Sequence, residues 1–221
     1  MKKSLVLLLA LCTSSLFYAQ VSGVRTELPT EMVRNFQMGN NILPTNLVGT
    51  PFLDETFSPG IAQVKDKKYN AVLRYNAYAD EIEMKDENNE SIALLKRDYI
   101  TASFGGNDYQ ILTMGDKKGY VITLEEGAYS LYKRHQKEFI PEKEATSSYG
   151  SNKPPQLVDD ITYYIKMGDE AATEIKLKKS DLAKFLGEKK VKEYAKMNKS
   201  KLNSEQDVIA LLKTLNAGVQ S

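Results

Sequence analysis

Between Ile61 and Glu125 the chain is a succession of short runs rich in Ile, Val, Leu, Tyr and Thr, each closed by Gly, Asn or Asp. IAQVK, SIALLKRDY, YITASFG, DYQILTM and GYVITLEEG all have this form. Runs of that length and composition are half-buried strands. With no helical pattern between them, they predict an antiparallel meander: a curved sheet or small open barrel. The period changes after Lys179. Leu182, Phe185 and Leu186, then Val191, Tyr194 and Ala195, then Val208, Leu211, Leu212 and Leu215 recur at helical spacing. Ser180 is placed to cap the first helix, and Ser204 with Asp207 forms an S-x-x-D box before the last. The expected fold is β-rich α+β, a curved antiparallel sheet followed by short amphipathic helices that lie on it as lids.

LRYNAYADEIEMKD, residues 73–86, is the densest cluster of charge and tyrosine in the strand region. Leu73, Tyr75 and Ala77 share one strand face, whereas Tyr78, Ile82 and Met84 have the other parity. One ideal strand cannot change phase, so a bulge or turn is expected near Asn76–Asp80. That reset sends Ile82 inward and Glu81, Glu83 and Lys85 to solvent. Asp80, Glu81 and Glu83 lack the D-x-D-x-D-G order of a calcium loop, and alternation separates neighbouring carboxylates. Downstream, AYSLYKRHQKEFIP (128–141) is expected to give a strand pair. The polar stretch 142–156 is expected to be a long loop or boundary, and ITYYIKMGDEAATEIKLKK (161–179) a hairpin.

The chain begins MKKSLVLLLALCTSSLFYAQ. Two lysines, a short apolar run and Ala19 make an export signal cleaved after Ala19. The apolar run is too short for a bilayer core of about 30 Å. Cys12 is the only cysteine; Leu11 before it departs from the small residue that lipidation requires. The expected division is a signal peptide over 1–19, an N-terminal arm over 20–49, a β-rich domain over 50–178 and C-terminal helices over 179–221. The destination is the periplasm, the outer membrane or the cell exterior.

Few chemistries find their residues here. A mature chain without cysteine has no thiolate nucleophile or disulfide. His135 is the only histidine, flanked by Lys133, Arg134, Gln136 and Lys137, and no G-x-S-x-G elbow accompanies it. The glycine loops at 105–108 and 115–119 lie between strands, not before helices, and so are hairpin turns instead of phosphate cradles. Thirteen tyrosines against no tryptophan could offer stacking platforms for a glycan, or could fill half-buried sheet margins. The whole chain carries a net charge of +1, which argues against nucleic acid as a partner. Residues 176–201 differ: ten lysines face only Asp181, Glu188 and Glu193.

GTPFLDETF, YNAVLRYNAYADEIEMKD, GAYSLYKRHQKEFIP, YGSNKPP, YYIKMGD and EIKLKKSDLAKFLGEKK, in this order, resemble a large, mostly uncharacterised family of exported Bacteroidota envelope proteins. The resemblance implies an envelope location and brings no catalytic motif. Small exported subunits in such envelopes accompany large outer-membrane channels and secretion machines, which suggests a partner-protein role by analogy. The function expected is therefore non-enzymatic: binding another envelope protein, as an accessory subunit of an outer-membrane assembly, without cofactor or metal. Phe36 in the arm and Lys189, Lys190 and Lys192 are the residues expected to meet that partner. A glycan or small-molecule module, recognisable by a pocket with convergent tyrosines, is the first alternative. A hydrolase with facing carboxylates in a cleft is the second.

Overall fold

A computed structural model describes Pro29 and residues 32–35, 43–86, 88–145 and 151–219. Residues 1–28, which hold the expected export signal, Phe36 and most of the expected N-terminal arm lie outside the described residues. Among the described residues eleven strands form a single antiparallel sheet: β1 (Val33–Asn35), β2 (Ser58–Val64), β3 (Lys67–Asn76), β4 (Glu81–Lys85), β5 (Ser91–Leu94), β6 (Ile100–Phe104), β7 (Asn107–Met114), β8 (Lys117–Glu125), β9 (Tyr129–Ile140), β10 (Gln156–Met167) and β11 (Thr173–Ile175). Three helices follow, α1 (Lys179–Leu186), α2 (Glu188–Met197) and α3 (Glu205–Val219). The spatial order is β1-β5-β4-β3-β2-β6-β7-β8-β9-β10-β11, so two meanders meet along the β2–β6 pair. The β-rich α+β architecture is as expected, an open curved sheet with short helices at the C-terminal end.

Connection lengths dictate the curvature. The link from β5 to β6 is only Leu95–Tyr99, yet β4, β3 and β2 lie between those strands in the sheet. A flat sheet would need the link to span four spacings of about 4.8 Å. Leu95–Tyr99 is itself turned, with the Arg97 amide donating to Leu95 O at 3.0 Å and the Ile100 amide to Arg97 O at 2.9 Å. It cannot reach that far. The first eight strands therefore curl around one interior, packed with Leu73, Tyr75, Ile82, Leu94, Ala102, Tyr109, Tyr120 and Ile122. Met32, 1% exposed, plugs it from the N-terminal side.

A second core lies between the helices and the far end of the sheet. Leu131 on β9 and Ile165 on β10 meet Leu182 of α1, Val191 of α2, and Val208, Leu211 and Leu212 of α3, all fully buried. Asn216 pins α3 to the sheet: its Oδ1 accepts the Tyr129 amide at 2.8 Å, and its Nδ2 donates to Tyr129 O at 3.1 Å. Residue 127 must be glycine there, because a Cβ would lie 2.5 Å from the Asn216 amide nitrogen. Ser204 caps α3 as expected, its hydroxyl accepting the Asp207 amide at 3.2 Å. Among the described residues no helix is long and apolar enough to cross a membrane.

Two local expectations fail. The 128–141 segment is one strand, not a pair; all twelve residues of β9 pair with β10. YSLYKRHQKEFI contains no Gly, Pro or Asn, and charge alone does not make a turn. The polar segment that follows is the long loop of the expected pair of readings, joining β9 to β10, and not a domain boundary. Ser180 does not cap α1, because the helix starts at Lys179 with Lys178 in the cap position and no side-chain capping bond.

The helices are structural lids. Leu212→Ala, at a site with 0% exposure, is expected to cost about 2–5 kcal/mol, read as a lowered urea midpoint. An unchanged midpoint would mean that α3 does not pack on the sheet.

Candidate functional site

The 73–86 stretch does turn at Ala77–Asp80, between β3 and β4, where the phase change places it. Asp80 takes a left-handed backbone, φ 55°, which Asp tolerates better than most residues. Ile82 faces the interior with 0% exposure. The carboxylates, however, are not solvent-facing: Asp80, Glu81 and Glu83 are 7%, 8% and 1% exposed. Alternation puts Glu81 and Glu83 on the outer face of β4 as expected, but that face is covered.

Each carboxylate meets a cation, and Lys96 serves two of them. Glu83 stands directly across from Arg74 in the β3–β4 register. It accepts Arg74 NH2 at 2.7 Å and Asn76 Nδ2 at 2.9 Å. The Arg74 guanidinium lies over the rings of Phe52, at 3.5 Å, and Phe57, at 4.2 Å. The lead-in 50–57 is thus the cover. Glu81 pairs with Arg34 of β1 at 2.6 Å and Lys96 of the β5–β6 link at 3.6 Å. Burial pushes its carboxyl above the usual range, against the pull of Lys96 and Arg34.

Asp80 joins distant parts of the sheet. β8 and β9 pair only between Ile122 and Glu125, and beyond that they fork. The β3–β4 turn fills the fork: Ala77 O accepts the Lys137 amide of β9 at 3.1 Å, and Asp80 Oδ1 accepts the Tyr120 amide of β8 at 3.1 Å. Asp80 Oδ1 also accepts the Tyr75 hydroxyl at 2.9 Å, while Lys96 donates to Oδ2 at 3.0 Å. Residue 119 has to be glycine for this, since a Cβ would sit 2.7 Å from Asp80 Oδ2. Glu81 Oε2 and the Tyr120 hydroxyl are buried without a hydrogen-bond partner among the described residues. The cluster is a structural lock whose charges are already matched.

A cleft of about 190 Å³ opens beside it, between the 53–58 lead-in, the end of β3 and the β6–β7 turn. Phe104 and Tyr109, stacked at 4.6 Å, and Tyr75 form one wall; Asp54, Arg74 and Asn107 supply polar groups. The Arg74 charge is taken by Glu83. Asp54 is exposed, and its Oδ1 accepts both the amide and the hydroxyl of Thr56, which hold the carboxyl below its usual range. Next to the cleft, the outer face of β2 and β3 exposes Pro59, Ile61 (38%) and Val72 (48%). Pro59 stands opposite Val72, so the three share one shallow apolar surface.

Most of the tyrosines between residues 69 and 132 are consumed by packing: Tyr75, Tyr109, Tyr120, Tyr129 and Tyr132 are buried. His135 is on β9, its Nε2 2.7 Å from Asp159 Oδ1, and Lys137 reaches the same oxygen at 2.6 Å. The Gly105-Gly106 and Gly115-Asp116 loops are the β6–β7 and β7–β8 hairpin turns. Lys189, Lys190 and Lys192 are all exposed on α2, remote in sequence from the cleft. Lys190 leans back over the Tyr129 ring and donates to its hydroxyl at 3.3 Å, and Lys192 pairs with Glu188. Phe36 lies outside the described residues. Among the described residues no three His, Cys, Asp or Glu side chains converge as a metal ion would need. The apolar strip on β2–β3 was missed in the sequence because IAQVK and YNAVL give no sign of which apolar residues face outward uncovered. Comparison with protein-family models, with curated proteins and with solved structures finds no match.

Tyr75→Phe, which removes the donor to Asp80, is expected to cost about 1–3 kcal/mol. Tyr120→Phe removes an unpartnered buried hydroxyl and is expected to be neutral or stabilising; denaturant melts of both variants check the contrast. Equal losses would mean that Asp80 does not depend on Tyr75. Alkali tests the buried phenols as a group. Burial pushes Tyr109 up to about 12, and Tyr75 and Tyr120 also lie above the ordinary 10.0. A raised folded-state value means that the unfolded chain releases its protons first. Stability is then whole below pH 10 and falls as pH rises from 10 through 12. Phenolate absorbance should show a late-titrating set that ionises together with unfolding. Uniform titration near the ordinary value would contradict this packing.

Proposed function

We propose that the protein is a non-enzymatic, exported binding subunit that docks another envelope protein through the outer face of β2–β3 and the cleft at its end. The observation that carries this is the exposed Pro59, Ile61 and Val72 strip, which runs toward a small cleft with an exposed carboxylate. An apolar surface left uncovered beside a charged rim is a common form of protein contact. The cleft is below the usual range of about 300–1,000 Å³ for small-molecule pockets, and its size suits a single side chain. Asp54 and Glu55, both exposed, and the neutralised Arg74 make that side chain a lysine or arginine of the partner. A glycan platform needs open aromatic faces, and the tyrosine rings here are packed against one another.

A photo-crosslinking residue at position 61, in cells that export the protein, should give one discrete adduct. Val72→Asp and Asp54→Lys should each reduce that adduct at least tenfold without lowering the melting temperature by more than a few degrees. A crosslinker at position 66, on the β2–β3 turn, should not give it. Adducts that survive both substitutions, or that form equally at position 66, would overturn the assignment.

A further inference from the structure

The lysines of α2 form a second surface, on a different element. Val191 and Ala195, 0% and 5% exposed, fasten the helix to the second core. At about 100° per residue, Lys189, Lys192 and Lys196 fall within one arc of about 60°, centred about 110° around the axis from that buried pair, and the exposed Glu193 borders the arc beside Lys189. All three are exposed, and Lys199 and Lys201 continue the series beyond the helix. Among the described residues only Glu188, itself exposed, pairs with any of them, at Lys192. Met197, 81% exposed, lies on the neighbouring side of the helix.

From this arrangement we infer that the outer face of α2 rests on an anionic membrane surface and binds lipid headgroups through Lys189, Lys192 and Lys196. Charge segregation is the first support. Residues 176–201 carry a net charge of +7 in a chain of net +1, which leaves −6 on the remainder. A molecule so polarised turns its basic end toward a negative plane. The second support is the kind of charge. Every basic residue in the segment is lysine, a hydrated point charge without the bidentate fork that fixes a particular carboxylate partner. Such a set recognises the potential of a surface and not the shape of a ligand. The third is shape: a convex, exposed helix face fits a flat, deformable interface.

The test is sedimentation of the full exported chain with vesicles of phosphatidylglycerol and phosphatidylcholine in equal parts, against vesicles of phosphatidylcholine alone. Binding is expected only to the anionic vesicles and should weaken as salt rises. Each lysine near an anionic surface is worth about fivefold in binding, so Lys189→Gln, Lys192→Gln and Lys196→Gln together should weaken it about 100-fold. The triple Lys65→Gln, Lys67→Gln, Lys68→Gln removes the same charge from the exposed β2–β3 turn and should leave most of the binding. Equal losses for the two triples, or equal binding to both vesicles, would overturn the inference. Tighter binding to soluble polyglutamate than to the anionic vesicles would do so too, and would make an acidic protein the partner of this face.

Discussion

The carboxylate of Asp80 holds closed a sheet whose ladder alone leaves it open. β8 and β9 separate beyond Ile122, and the amides of Tyr120 and Lys137 would otherwise face an empty fork. Unpaired backbone donors in a buried seam are costly. The β3–β4 turn supplies both acceptors, one from Ala77 O and one from the Asp80 side chain. With that turn seated, Tyr75 reaches Tyr109 at 5.3 Å and Tyr120 at 6.2 Å across the interior. The first core thus depends on a polar contact at its edge, and Gly119 is the space that admits it.

Matched charges are a demanding way to build such a seam. Removing one member of a buried pair costs about 3–5 kcal/mol, because the other is left uncompensated. Glu83 with Arg74 and Asn76, and Glu81 with Arg34 and Lys96, bind strands β1, β3 and β4 to the β5–β6 link. Apolar residues could supply as much burial but would permit strand registers that place a charge pair wrongly. Since a slip of one residue exchanges the two faces of β4, Ile82 and Glu83 together fix its register. The second core needs no such device, as three helices with apolar stripes cover Leu131 and Ile165 directly.

Periodicity explains both what could be read from the sequence and what could not. Strand runs, the turn near Asn76–Asp80, the inward Ile82, the hairpin within 161–179 and the helical stripes all follow from spacing, which is a local property. Glu81 and Glu83 were assigned the correct face and the wrong surroundings. Alternation states which way a side chain points but not whether another segment lies over it. Phe52, Phe57 and Arg34, which do lie over it, are distant in sequence or in an irregular lead-in. The length of β9 was missed because its charged half alternates weakly, and its pairing with β10 is set by residues beyond a polar connector. The Asp54 cleft has no sequence signal at all; it exists because the lead-in, β3 and the β6–β7 turn end at the same level.

The division of labour among the aromatic and charged residues bears on function. Most of the tyrosines that could have formed a platform are spent on the two cores, and the acidic cluster that could have formed a metal or catalytic site is spent on closing the sheet. A side chain already matched to an internal partner has to give up that partner before it can serve a ligand, and at these depths the exchange costs several kcal/mol. Under the proposed binding role, ligand contacts would fall to groups with little to give up. On the described surface those groups include the strip of Ile61 and Val72, Asp54 at the cleft, and Lys189 and Lys196 of α2. None of these side chains bonds one strand or helix to another among the described residues. The scaffold can hence tolerate change at all three, and specificity can be altered there without reopening the seam at Asp80.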